Sequence, residues 1–436
     1  MKTPSSGIAG PWARLTAVSA LALILAASLP PTLAVAQDAA ATSTAPVLSL
    51  DEALRRAALV DPSLAPTQAR RQASRAAVRQ ADVRPNPTLG VGEYQALFKL
   101  AAGLKPAVVP LIEVLPPDFD FEQWRPKKEI DDHLGGFAAK LEKKWSDRPA
   151  LIDGRQLAPA TRMADGRHTM TFLFDEARKL GASLTPVINL ESDAAYRKAV
   201  HDIDAIDMNG AVLRCTLEEA LDPDFDDHVD ALLKALAIDI AQLDIVLDLG
   251  APAYSPQGPL VGVIRAALNG ARMLSARSVV VMAASFPETM TELKLPIQTV
   301  SREEWRLYAA LVTAQSPQER RPSFGDYAVA AVKFAQGDMR FMRGSPNVRY
   351  AVSDGGWLVA RSKRKKGETN QAYPGLCGLI LSSGQYHGAT FSEGSAYIED
   401  CHAGAAKRGN PTVWKWVATN HHITVVLDDL AKLPAP

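Results

Sequence analysis

The feature that most limits how this chain can fold is a series of short, almost unbroken apolar runs, each followed by an amphipathic stretch. The runs are Val108–Leu115, Ala150–Asp153, Leu184–Leu190, Ala211–Cys215, Ile245–Leu249 and Ser278–Ala284. A strand with one face in water alternates apolar and polar residues. A run without that alternation reads as a strand buried on both faces of a parallel sheet. Helical periodicity separates the runs, around Glu129–Trp145, His168–Leu180, Asp193–Val200, Asp227–Leu236 and Val261–Leu274. Strand and helix alternating at this spacing make βα units with right-handed crossovers.

Phe324–Val332 supplies a seventh strand. The expected fold class is therefore α/β: a (β/α)8-like, TIM-type barrel preceded by an α-helical N-terminal arm. Closure needs one more strand before Val108, and the available chain is Thr88–Val91. The first strand is thus expected to be imperfect, and a gap there leaves unpaired backbone at an edge. The C-terminal third is less regular. It offers a hairpin over Asn347–Arg361 around Asp354-Gly355-Gly356, a basic run Lys363–Lys366 and a helix near Tyr373–Leu381. Thr412–Ala418 and Ile423–Leu430 close the chain.

The N-terminus has a different character. Lys2 and Arg14 precede an apolar run, Leu15–Leu29, and Ala34-Val35-Ala36 has the small-x-small form of a signal-peptidase site. Residues 1–36 read as a secretory signal peptide. No later segment approaches about 18 uninterrupted apolar residues, so no helical membrane anchor is expected in the mature chain. Residues 37–46 form a small-residue linker, expected to be disordered. Ser49 with Glu52 makes a capping box that opens a helical arm over 47–91, broken at Asp61-Pro62 and ended by Pro85 and Pro87. Three cysteines, Cys215, Cys377 and Cys401, form no CxxC pair. They read as reduced thiols, which suits a cytosolic history better than a secreted one. The expected location is periplasmic or outer-membrane-directed if the signal is translated, and cytoplasmic if the barrel has its own start.

Side chains at strand C-terminal ends of a parallel barrel converge on one mouth, where active sites sit. Those ends carry Glu113, Asp153, Asn189 with Glu191, Arg214, Asp248, Ser285 and Asp326. Carboxylates of this kind can hold a hard divalent cation such as magnesium, and Arg214 can receive a phosphate or carboxylate. The same residues also serve as ion pairs and helix caps in any barrel, and the sequence names neither metal nor cofactor. Asn420-His421-His422, read as part of a strand, would send its two histidines to opposite faces. One of them then faces the mouth as an acid or base, or both simply pack. Glu113, Asp153, Arg214, Asp248 and His421 are the candidate catalytic residues. The formal net charge is zero, which argues against a nucleic-acid binder driven by overall charge. No Walker loop, GxGxxG or GxSxG is present, which lowers the case for nucleotide motors, Rossmann enzymes and α/β-hydrolases.

Two resemblances follow from local words. LSLDEALRRA, DPSLA and RPNPTLGV within Val47–Val91 resemble the start of TolC-like outer-membrane efflux proteins, although the strands and long helices of a channel never follow. From residue 92 to residue 433 the chain resembles the phage-type Beta protein family. The words are GEYQALFKL with VVPLIEV, VLDLG, the SFP at Ser285–Pro287, PSFGDY, NVRY, the Trp357 hairpin and GNPTVWKWVATNHHI, in that order. The resemblance implies a barrel in a phage or phage-defence setting and carries no reaction with it. Three functions stay open: a barrel enzyme with a phosphate- or metal-directed hydrolytic site acting on a small or phosphate-bearing molecule, a non-catalytic binding module in phage–host conflict, and an exported efflux component.

Overall fold

Eight parallel strands hydrogen-bond in the order β1-β2-β5-β6-β7-β8-β9-β11. A computed structural model describes residues 88–89 and 94–434, apart from 121, 291, 333–344, 354 and 364–368. In chain order the strands are β1 (Thr88–Leu89), β2 (Leu111–Glu113), β3 (Phe119–Asp120), β4 (Arg125–Pro126), β5 (Ala150–Asp153), β6 (Leu184–Ile188) and β7 (Ala211–Thr216). They continue with β8 (Leu243–Asp248), β9 (Ser278–Ala283), β10 (Ile297–Ser301), β11 (Ser323–Asp326), β12 (Asn347–Val352) and β13 (Gly356–Arg361). The first expected strand is there, and it is short. Thr88–Leu89 pairs in parallel with Leu111–Ile112, and among the described residues no ladder joins β1 to β11. The strand expected over Phe324–Val332 stops at Asp326. The signal segment, the linker and the rest of the helical arm lie outside the described residues.

The period of two along each strand decides what faces the lumen. Leu111, Leu151, Val187, Val212, Val246, Val280 and Met282 form one buried cluster inside the curl of the sheet. Their neighbours point outward. Ile112 and Ile152 pack with Leu141 and Phe174 of the surrounding helices. Leu213, Leu247 and Val281 pack with Val229, Leu232 and Ile264. Runs such as LIE, ALID and LDIVLD lack visible alternation because both faces are covered by protein. Gly325 on β11 faces the lumen, where a Cβ would lie 2.9 Å from Val280 Cγ1.

A three-stranded antiparallel sheet, β10-β13-β12, stands beside the barrel. Its hairpin pairs Val352 with Gly356 as expected from the Asp354-Gly355-Gly356 turn. Pressed against it is the helix Pro411–Lys432, which replaces the two expected closing segments. Asn410 caps this helix by accepting from Val413 N, and Pro411 occupies its first turn. Val417 packs with Tyr350 and Leu376, Ala418 and Val425 with Trp357, and Ile423 and Leu427 with the barrel's outer layer. A helix apolar on every side is one buried on every side. Asn420, His421 and His422 therefore sit on a helix and not on a strand, and both histidines are buried. Among the described residues no helix is long and apolar enough to cross a membrane.

Candidate functional site

Four of the five candidate residues meet in one place. Glu113 ends β2, Asp153 ends β5, Asp248 ends β8, and Arg214 lies two residues before the end of β7. All four occupy lumen-facing positions one step above the apolar layer, in register with it: Glu113 pairs with Asp153 across the ladder, and Arg214 with Val246. The Arg214 guanidinium lies across the barrel mouth and gathers the acids. Its Nε donates to Asp248 Oδ2 at 2.9 Å, and its Nη1 to Glu113 Oε1 at 2.7 Å and Asp153 Oδ2 at 2.8 Å. Its Nη2 donates to Tyr327 OH at 2.9 Å and lies 2.7 Å from Asp248 Oδ2. A guanidinium has five N–H groups; four are bonded to protein acceptors, and the nitrogen that carries the fifth is ion-paired with Asp248. Arg214 is thus not open to receive a phosphate.

Two further residues complete the cluster. Tyr327, just past the end of β11, donates to Asp248 Oδ2 at 2.6 Å. Arg155 follows β5 by two residues; its Nη2 and Nε donate to Glu113 Oε1 at 2.6 and 3.1 Å. Its backbone N–H donates to Asp153 Oδ1 at 3.0 Å. The turn that delivers Arg155 depends on Gly154, where a Cβ would lie 2.6 Å from Met170 Sδ. Gly250 N–H steadies Asp248 Oδ1 at 2.9 Å. The Arg155 side chain is 33% exposed, whereas those of Arg214, Glu113 and Asp153 are 2–4% exposed. Arg155 is the outer cation of the mouth.

Burial sets the electrostatics. It raises the Asp153 carboxyl above its ordinary range, although Arg214 and Arg155 oppose the shift. Burial disfavours the charged form of Arg214 as well, but Asp248, Tyr327, Asp153 and Glu113 outweigh it and keep the guanidinium protonated. The Tyr327 phenol is pushed up by burial and then by Asp248. Glu113 Oε2 stands apart: it takes no hydrogen bond among the described residues, and it is not a sealed atom. Arg155 Nη1 likewise has no partner among them. Glu113 Oε2 and Arg155 Nη1 are the acceptor and the donor that the cluster leaves open.

The remaining strand-end residues do other work. Asn189 Oδ1 accepts from Ser192 Oγ within its own loop at 3.0 Å, and Glu191 is exposed. Ser285 Oγ donates to Glu304 and accepts from Glu303 N, which ties down the start of the helix Glu303–Ala314. Asp326 points outward to His422 Nε2 at 2.6 Å. His422, Arg302 and Trp357 each keep one buried nitrogen without a partner among the described residues. His421, on the C-terminal helix, packs against the small sheet. Its ring stacks on Tyr350 at 3.8 Å, its Nε2 bonds Ala351 O at 2.9 Å, and its Nδ1 lies 3.1 Å from both Ser392 Oγ and Ser395 Oγ. Burial pushes His421 down to about 3, so it is a neutral packing residue among these partners and joins none of the mouth carboxylates. A cleft of about 490 Å³ also opens beside Tyr254, Glu303, Trp305 and Arg306; none of the five candidates lines it.

A family model described as "Beta protein" matches residues 87–428. The chain belongs to the Beta protein family. The family match takes in Thr88–Leu89, so the short first strand counts as part of the family region rather than of the arm before it. No curated protein matches the chain. Among solved structures, triosephosphate isomerase from Bartonella henselae is similar at 11% identity, covering 56% of this chain and 90% of that one, with a TM-score of 0.30. Nothing about the chemistry of this Beta-family chain rests on that likeness. Among the described residues no group of three or more histidine, cysteine, aspartate or glutamate side chains is placed to hold a metal ion. In the mouth the three acids converge on the Arg214 guanidinium.

Proposed function

We propose that the barrel mouth is the working site of this Beta-family protein and that it hydrolyses a small molecule bearing a phosphate or carboxylate group. The observation that carries this reading is the open pair, Glu113 Oε2 and Arg155 Nη1, beside a cluster whose other carboxylate oxygens and guanidinium nitrogens each have a partner. Arg214, Asp248 and Tyr327 form a fixed frame. Arg155, its side chain one-third exposed, receives the ligand's anionic group. Drawing Arg155 outward removes one of the two guanidinium groups that hold Glu113, and losing a positive neighbour makes a carboxylate a stronger base. Glu113 then takes a proton from the attacking water, which lies on its open oxygen. Ligand binding and base activation are coupled by one side chain.

The full internal pairing of Arg214 favours a second reading, a binding module without turnover. An aryl phosphate ester separates the two. Under the first reading the wild-type chain hydrolyses it, Glu113→Gln lowers kcat by about 10²-fold or more, and Arg155→Gln raises KM. Equal turnover in wild type and Glu113→Gln, with both folded, rules out Glu113 as the base. Binding of inorganic phosphate with no turnover by any variant favours the module.

A further inference from the structure

The helices Tyr373–Leu381 and Glu393–Ala403 carry two of the three cysteines. Cys377 and Cys401 are 0% and 1% exposed and lie in the same apolar cluster, with Tyr350, Ile398 and Val417. Burial, and after it the neighbouring Cys401, raise the Cys377 thiol, so the two groups lie near enough to act on each other's ionisation. One residue further on, the two helices approach so closely that a Cβ at Gly378 would lie 2.8 Å from His402 Cε1. His402 Nδ1 also bonds Pro374 O, at 3.0 Å, across the same pair. A disulfide needs its two Cβ atoms about 3.5–4.5 Å apart. Two thiols buried in one cluster, each one residue before the closest approach of a glycine-packed helix pair, are placed to reach that arrangement. Cys215 lies elsewhere, on the outward face of β7 among Leu213, Ile245 and Val229.

We propose that Cys377 and Cys401 are an oxidative modification site, closing to a disulfide when the chain meets a disulfide oxidant such as oxidised glutathione, while Cys215 stays a thiol. Burial raises both thiols, and Arg408 draws that of Cys401 back toward the thiolate. Cys401 therefore attacks first, when the helix pair opens. Its thiolate displaces one glutathione and forms a mixed disulfide. Cys377 gives up its proton, attacks the Cys401 sulfur and displaces the second glutathione. Two electrons pass to the oxidant, and the two thiol protons end on the two glutathiones. The link would tie the helix that underlies the small sheet to the one that packs on the C-terminal helix. The thiols stay reduced in a cytosol and close in a secreted setting.

Incubating the full chain with oxidised glutathione, then denaturing, alkylating and mapping its peptides by mass, tests this directly. The expected result is three alkylated cysteines before oxidation and one after, at Cys215, with a peptide joining Cys377 to Cys401. Cys215→Ser still links, and Cys377→Ser stops at a glutathione adduct on Cys401. Three alkylated cysteines after oxidation of the wild type overturn the proposal, as does a link or adduct that includes Cys215. The wild-type map decides alone if a variant fails to fold.

Discussion

Replacing Arg214 with methionine keeps an apolar stem in place and removes the charge, together with all five donors. Glu113, Asp153 and Asp248 are 3%, 2% and 9% exposed in the wild type, and among the described residues Arg155 is the cation left beside them. Removing one partner of a buried ion pair costs about 3–5 kcal/mol, because the other charge stays behind. Three acids lose their partner here, yet the cost does not triple, since an unpaired buried carboxylate takes up a proton instead. At about 2.1 cal/mol/K of unfolding entropy per residue over the region 87–428, 1 kcal/mol is about 1.4 °C, and the melting temperature falls by about 4–7 °C. The pH dependence has a definite sign. Asp153 is already raised in the fold by burial, and losing Arg214 raises it further. A carboxyl whose folded pKa exceeds its unfolded one contributes stability below the unfolded value, and that contribution is lost as pH rises through the folded value. The deficit of Arg214→Met is therefore larger near pH 8 than near pH 5. Urea unfolding followed by tryptophan fluorescence and circular dichroism at both pH values measures it. A loss below about 1 kcal/mol at the higher pH, or a deficit that grows as pH falls, refutes the buried-charge reasoning.

Arg155→Gln is expected to cost far less than Arg214→Met, under about 1 kcal/mol, because the Arg155 side chain is one-third exposed and its pairs are screened; a loss as large as that of Arg214→Met makes Arg155 part of the frame. Burial raises Asp429 to about 6 against the pull of Arg302. Its stabilising contribution is present below the unfolded carboxyl value and fades as pH climbs through about 6. Asp429→Asn should flatten the stability profile between about pH 5 and 7, and an unchanged slope contradicts the assignment. Gly394→Ala places a Cβ 2.3 Å from Val417 O and 3.0 Å from His421 Cβ, so the C-terminal helix must shift; a loss of about 1–3 kcal/mol is expected, and an unchanged melting temperature is the contrary result.

The barrel was legible because its strands announce themselves twice. The apolar runs mark where both faces are covered, and the last lumen-facing residue of LIE, ALID and LDIVLD is an acid. Counting by twos from those runs places Glu113, Asp153, Arg214 and Asp248 on one side. The same count, carried one residue past β11, reaches Tyr327 and assigns Asp326 to the outer face; listing strand ends without their parity merged the two. Arg155 was out of reach, since it lies in a loop whose path is set by Gly154 packing on Met170. The C-terminal helix misled for another reason. Val417 to Val426 is rich in β-branched residues and reads as strand, but tertiary burial overrides a weak propensity. Asn410 and Pro411, a cap and a first-turn proline, were the available signal that a helix starts there. The helix period separates His421 and His422 by about 100°, enough to send one to Tyr350 and the other to Asp326.

The most direct test of the mouth as an anion-receiving site is calorimetric titration of inorganic phosphate into the wild type, Arg155→Gln and Glu113→Gln. Saturable binding in the wild type and in Glu113→Gln, weakened about tenfold or more in Arg155→Gln, is the predicted result. Equal binding by all three proteins, or none by the folded wild type, contradicts it.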